Sequence, residues 1–316
     1  MKKKVFSMIA ARLLVMGVSL LIVSSAVFFA TTMLPGDTAA ILLGQAATPE
    51  AVEGLRKAMH LDDPALLRYG HWMLGMLTGD FGKSYANSMP IATLIGGRLA
   101  NTLKLAAVTS MFSVPLSLVL GIAAAMMRGS LFDRIVTFCS IGLVSVPEFL
   151  VATTAVLIFS VYLGWFPALA FTNEIHSFGE LLRVFAMPVI ALTSVISAQM
   201  VRMTRAAVVE TLSTPYAEMA LLKGASWKRI VLRHALPNAL GPIVNAMALS
   251  LSYLLGGVII VETIFNYPGI AKLMVDAVAT RDLPLIQTCA MIFCLGFLTL
   301  MAMADIIAIL ANPRLR

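Results

Sequence analysis

The sequence predicts an all-α, polytopic membrane protein with six transmembrane helices. Two observations carry that reading. Hydrophobic residues make up 59% of the 316 and charged residues only 12%, where soluble domains hold roughly 45–50% and about 25%. The apolar residues also gather in long charge-free runs, at 13–36, 105–127 and 235–261, each meeting the ~20 residues that a spanning helix needs. The net charge of +7 therefore reports on membrane topology. The lipid bilayer is the expected partner, and nucleic acid is not.

Residues 1–34 read as an N-terminal cytoplasmic tail and first transmembrane helix. Lys2, Lys3, Lys4 and Arg12 precede the apolar run. A cleaved signal peptide has an apolar core of roughly 7–15 residues, so this longer run reads as an uncleaved span. Residues 35–97 hold no spanning run and read as an extracytoplasmic helical segment, opened by the turn Pro35-Gly36-Asp37. Thr48 is placed to cap a helix with Pro49 at its first position and Glu50 and Glu53 in its opening turns. Asp62-Asp63-Pro64 ends it. Residues 66–77 are amphipathic, with Tyr69 and Trp72 suited to a membrane interface. Gly79-Asp80-Phe81-Gly82 makes the next turn.

The rest, 98–311, holds five further helices at about 105–127, 135–163, 184–205, 238–261 and 283–310. The second of these five contains Pro147-Glu148. A carboxylate at that depth costs about 2.5–3.5 kcal/mol on insertion scales, so Glu148 is expected to face the bundle interior or water. It is either a translocation-path residue meeting a cationic group or a group held by a structural donor. Pro147 frees a backbone carbonyl, which suits a path-lining helix. Glu262, at the outer end of the fifth span, is the third path candidate. Arg202 and Arg205 read as snorkelling anchors at a helix end, and Asp305 as a fold-stabilising contact. Residues 262–284 read as a polar loop turning at Asn266-Tyr267-Pro268-Gly269. Trp165 and Tyr267 read as membrane-interface residues.

Orientation follows from the basic residues. Counting alternate segments, fourteen Lys and Arg fall on one face and three in the short loops of the other, which puts both termini in the cytoplasm. Cys139, Cys289 and Cys294 all lie in apolar runs and read as packing residues. The sequence has no HExxH, no CxxC and no phosphate-binding loop, so no catalytic residue, metal site or nucleotide site is expected in this chain.

One polar, basic stretch stands between two apolar runs: PYAEMALLKGASWKRIVLRHALP, residues 215–237. Residues 216–223 have helical composition and Gly224 interrupts them. Ser226 is placed to cap a second short helix over 227–236, which Pro237 closes. Such a pair is either a docking surface for a soluble partner or a connector that obeys the positive-inside rule.

This stretch resembles the signature loop of ABC-importer permeases: EAA, then a glycine, then a hydrophobic residue and Leu-Pro. Glu218, Ala220, Gly224, Leu236 and Pro237 match it. Met219 and His234 stand where alanine and isoleucine are usual. Both departures suit the dipeptide/oligopeptide/nickel branch, whose pattern fits Tyr216, Ala220, Lys223, Gly224, Arg233, His234 and Ala235. Collinear stretches resemble the same branch: Leu34-Pro35-Gly36-Asp37, Gly79-Asp80-Phe81-Gly82, Leu163-Gly164-Trp165-Phe166-Pro167, Val261-Glu262-Thr263-Ile264-Phe265 and Asn312-Pro313-Arg314.

The resemblance implies the type I ABC importer permease fold in a bacterial inner membrane. It implies a non-enzymatic permease subunit for di- or oligopeptides or a related small cargo such as nickel chelates. It further implies a second homologous permease, two ATP-binding cassette ATPases that hold ATP and magnesium, and an extracytoplasmic substrate-binding protein. No cofactor is implied for this chain. ATPase docking, within a coupling loop at 210–237, would fall to Tyr216, Glu218, Ala220, Lys223, Gly224, Ala225, Lys228, Leu236 and Pro237. Residues 227–237 would pass the resulting push into the fifth span. The alternatives are an intramembrane enzyme, which needs paired catalytic groups in the spans, and an ion-coupled secondary transporter, which needs several intramembrane charges and internal repeats. Neither signature is found.

Overall fold

The computed structural model describes residues 2–33, 36–170 and 177–311. The Leu34-Pro35 half of the first turn, residues 173–176 of the loop before the fourth span, the side chains of Lys2, Lys3, Lys4 and His234, and the Asn312-Pro313-Arg314 tail lie outside the described residues. Among the described residues the regular elements are helices, with one isolated antiparallel bridge between Lys83 and Pro90. Among the described residues five helices are long and apolar enough to cross a membrane, or six where a pair bent by 102° is counted as one span. Packing divides the chain into two compact units, described separately here.

One unit comprises Val15–Thr102 and Pro268–Gly296. It contains most of helix α1 (Lys2–Thr32), then α2 (Thr38–Leu43), α3 (Pro49–Ala58) and α4 (Ala65–Thr78). Thr48 caps α3 by accepting from the Ala51 N–H, with Pro49 in its first turn, as the sequence predicts. Asp37 caps α2 and also receives Arg56 Nη1 at 2.8 Å. That guanidinium holds the Asp37 carboxyl below the ordinary carboxylate range. The contribution is therefore present at neutral pH and lost as pH falls through the lowered folded value.

Tyr69 and Trp72, expected at a membrane interface, are half-buried. They pack on α1, with Tyr69 5.4 Å and Trp72 5.7 Å from Phe28, ring centre to ring centre. The Tyr69 hydroxyl also meets the buried Ser24 Oγ at 2.8 Å. Replacing it, in Tyr69→Phe, is expected to cost about 1 kcal/mol, read as a lower melting temperature of the purified protein in detergent.

Residues 262–284, expected as a polar loop, contain a further helix, α12 (Ile270–Ala279). Its Ile270, Leu273 and Ala277 stripe is buried against Ile91 and Ile95 of α5 (Ile91–Met126) and against Leu285, Ile286 and Cys289 of α13 (Leu283–Ala311). Asp282, 1% exposed, ties down the turn at 84–86. It accepts from the Ser84 hydroxyl, from the Tyr85 N–H at 3.0 Å and from the Ala86 N–H at 3.4 Å.

The other unit comprises Met1–Leu14, Leu103–Tyr267 and Phe297–Arg316. Here α5 starts well before residue 105, because Arg98 and Lys104 interrupt the apolar run without ending the helix. Its 36 residues reach about 54 Å, well beyond a hydrocarbon core of about 30 Å. The third span is not one helix over 135–163. It breaks between α6 (Leu131–Ser145) and α7 (Glu148–Ala155), and the latter continues as a π-helix to Tyr162. The two arms meet at 102°. Pro147 is the cause: the residue before a proline is pushed out of the helical region, and Val146 sits at ψ 130°.

Helix α8 (Phe178–Leu212) opens with a capping box, Ser177 and Glu180 bonding each other's backbone N–H. It runs past both Arg202 and Arg205, so these are not helix-end anchors. Arg205 makes two bonds to Asp133, Nε to Oδ1 at 2.5 Å and Nη2 to Oδ2 at 2.8 Å. Tyr267 is likewise no interface residue: it is 1% exposed and set edge-on to Phe185. Asp305 meets Arg12 at 3.3 Å, the fold-stabilising contact expected of it.

Candidate functional site

Two places in the second unit hold the residues singled out from the sequence. The first is the turn between α8 and α11 (Leu236–Ile264). Helix α9 (Pro215–Leu222) starts with Pro215 at a position whose N–H would be unpaired in any case. It ends in a two-bond stop: Gly224 N–H to Leu221 O at 2.9 Å and Ala225 N–H to Ala220 O at 3.1 Å. That stop places Gly224 at φ +80°, which glycine adopts without the clash of a β-carbon.

The second arm differs from expectation. Trp227–Arg229 is α-helical, Ile230–Ala235 is a π-helix, and α11 follows at once. Pro237 does not close a short helix; it lies in the first turn of α11. A proline offers no N–H to the carbonyl four residues back. The wider π-turn ahead of it puts such carbonyls within reach of an N–H one residue further on, so the helix continues. Ser226 stands at the N-cap position without a side-chain cap bond.

The arm is anchored. Ile230, Val231 and Ala235 are fully buried. Val231 packs in one cluster with Ala125 of α5, Ala207 and Val208 of α8, and Ala239 and Ile243 of α11. The Trp227 indole Nε1 donates to the carbonyl of Met126, the last residue of α5, at 2.9 Å. Past the end of α9, Lys223 and Lys228 are exposed and Ala225 half-buried; in α9 itself, by contrast with the anchored residues, Ala217 alone is buried, Ala220 is half-buried and Glu218 exposed. The arm also exposes large apolar side chains: Tyr216, Met219, Leu221 and Leu222, the last at 82%. Sequence reasoning gave weight to the charges here and treated Met219 only as a departure from a pattern. The available signal was an apolar helix, too short to span, beyond the ends of the neighbouring spans.

The second place is the α6–α7 bend. A cavity of about 440 Å³ opens there, lined by Val146, Pro147 and Glu148 and, across from them, by Gln199, Arg202 and Ser250. The Glu148 carboxylate rests against α11 where Gly257 lacks a side chain; a β-carbon there would stand 2.9 Å from Oε2. Pro147 and Glu148 thus come together with Arg202 at one cavity. Glu262 does not join them: it is fully buried in the last turn of α11.

Among the described residues no group of three or more His, Cys, Asp or Glu could hold a metal ion.

Comparison with known proteins gives the following. The family model described as "Binding-protein-dependent transport system inner membrane component" matches residues 117–316, and the model of the corresponding N-terminal part matches residues 5–106. The glutathione transport system permease protein GsiC of Escherichia coli (strain K12) is 35% identical over 305 residues, covering 96% of this chain and 97% of that protein. A Brucella abortus (strain 2308) protein whose name describes a peptide transport system permease is 34% identical over 297 residues, covering 94% and 95%. Among solved structures, the MetNI methionine ABC transporter in an inward-facing conformation aligns at a TM-score of 0.56 and 18% identity, over 71% of this chain and 99% of that one. This last likeness bears on the fold alone.

Proposed function

The chain belongs to the family of binding-protein-dependent transport system inner membrane components, and from that premise we propose that it passes short peptides or glutathione-like compounds inward, driven by ATPases that dock on α9. The family makes it a multi-pass permease subunit of an ABC importer in a bacterial inner membrane, with ATP hydrolysis done by other subunits. The ion-coupled transporter and the intramembrane enzyme give way to that membership. A partner permease, ATPases and a binding protein belong to such systems in general.

The rest is the reading favoured here. The second permease is a homologue, each of two ATPases seats on one such loop, and ATP and magnesium stay on those subunits. Dipeptides and nickel chelates remain within the same cargo class. The fourteen-to-three excess of basic residues supports a cytoplasmic α9 and cytoplasmic termini.

The observation that carries the docking proposal is the contrast along 215–236. An exposed arm with apolar Met219 and Leu222 is joined at Gly224 to an arm whose Ile230, Val231 and Ala235 are buried, with Val231 packed among α5, α8 and α11. Exposed apolar surface on a cytoplasmic turn suits a partner protein, with Glu218, Lys223 and Lys228 setting register. The buried arm would pass a rigid-body push into three helices at once, where the sequence pointed only to the fifth span.

Trp227→Phe tests the transmission. It keeps an aromatic ring and removes one hydrogen bond, worth about 1 kcal/mol. ATP-driven uptake in proteoliposomes of the complete importer is expected to fall about fivefold, with the ATPases still co-purifying. Unchanged uptake would remove Trp227 from the transmission path.

A further inference from the structure

We propose that the cavity at the α6–α7 bend binds a small zwitterion by both of its charges, so that the permease itself reads the free amino and carboxylate ends of its cargo. This rests on the cargo class proposed above. Four features of the cavity point the same way.

The half-buried Glu148 carboxylate makes no hydrogen bond or ion pair among the described residues. An unpaired carboxylate in a span is costly, and a cationic group on the cargo offsets that cost. The opposite charge lines the same cavity and forms no ion pair with it among the described residues: the Arg202 guanidinium donates to Gln199 Oε1 at 2.9 Å, which leaves other N–H groups for a second acceptor. The Ser250 hydroxyl, in a fully buried residue of the same wall, has no hydrogen-bond partner among the described residues. Buried hydroxyls are nearly always satisfied, and a polar group of the cargo that displaced the wall here would gain that bond. The remaining wall is largely apolar, with Val146, Val195 and Tyr253, and low polarity strengthens each charge contact relative to water.

Such a pair of fixed, separated charges discriminates. A purely cationic solute meets Arg202, a purely anionic one meets Glu148, and a zwitterion satisfies both. The volume of about 440 Å³ lies in the range of roughly 300–1,000 Å³ for small-molecule sites. It suits a peptide of a few residues rather than a long chain.

The test places a reporter thiol, Val146→Cys, in a chain with Cys139, Cys289 and Cys294 replaced by alanine. The permease–ATPase complex is purified without binding protein. Maleimide labelling of the thiol is followed with millimolar trialanine, and with the same peptide N-acetylated and C-amidated. Trialanine is expected to slow labelling about fivefold at high concentration, the doubly blocked peptide far less. Glu148→Gln and Arg202→Gln are each expected to raise the half-protecting concentration about tenfold. Equal protection by the blocked peptide, or none by trialanine, overturns the proposal. The blocked-peptide comparison stands even if a charge variant fails to assemble. ATP-driven uptake by the same complex with its binding protein reads the importer proposal separately. Uptake without charge-dependent protection sinks the cavity and spares the importer; protection without uptake does the reverse.

Discussion

Gly224→Asp is expected to lower ATP-driven uptake by about tenfold or more while membrane insertion stays normal. Gly224 sits at φ +80°, where a residue with a β-carbon is strained by roughly 1–2 kcal/mol, and about 1.4 kcal/mol is a factor of ten. Space is not the cause, since a β-carbon there would meet nothing within 4 Å. The effect is conformational, through the stop at the end of α9, and electrostatic, through a new negative charge next to Lys223. The two parts separate by substitution. Gly224→Asn tolerates the left-handed region and should keep the most uptake, Gly224→Ala should be intermediate, and Gly224→Asp lowest. Uptake assayed in proteoliposomes, alongside ATPase co-purification, reads the order. Normal uptake by the aspartate variant would count against docking at this turn.

Arg205→Ala is expected to destabilise the protein by about 3 kcal/mol or more. Its partner Asp133 has a side chain only 5% exposed and would be left as an unpaired charge. The loss is expected as a lower melting temperature in detergent and a smaller yield of inserted protein. Asp133 also holds the start of its own helix in place, receiving the Gly129 N–H at 2.9 Å. The double variant Asp133→Asn with Arg205→Met should therefore recover part of the loss but not all. A double variant as unstable as the single one would show that the charge pair is not the source.

The spans were legible because hydropathy reports the apolar part of a helix. It ends at the first charge, whereas the helix does not. Helix α5 therefore began earlier than its apolar run, at Ile91, and α8 ran on past Arg202 and Arg205 once Asp133 supplied a partner for the second. The same bias hid α12, whose buried Ile270, Leu273 and Ala277 recur at helical spacing in a run interrupted by Lys272 and Asp276. Proline was read as absorbed in the one place where it bends and as a stop in the other, where it is absorbed. Pro147 breaks its span by 102°, while Pro237 follows a π-turn and leaves the helix unbroken. The proline alone does not carry the difference, which lies in whether a π-turn precedes it. At the turn itself, the charges and the glycine were visible from spacing. The exposed apolar face of α9 was not, because exposure depends on which neighbours pack, and here only Ala217 finds any.

If partner ATPases seat on α9, the contact can be trapped where it forms. A photoreactive amino acid is placed at Leu222, 82% exposed on α9, or at Leu77, 78% exposed at the end of α4. Each variant is assembled into the complete importer and irradiated in membranes. A covalent adduct with the ATPase subunit is expected from position 222 and none from position 77. An ATPase adduct from position 77, or none from position 222 in a complex that still couples ATP hydrolysis to uptake, would contradict docking on α9.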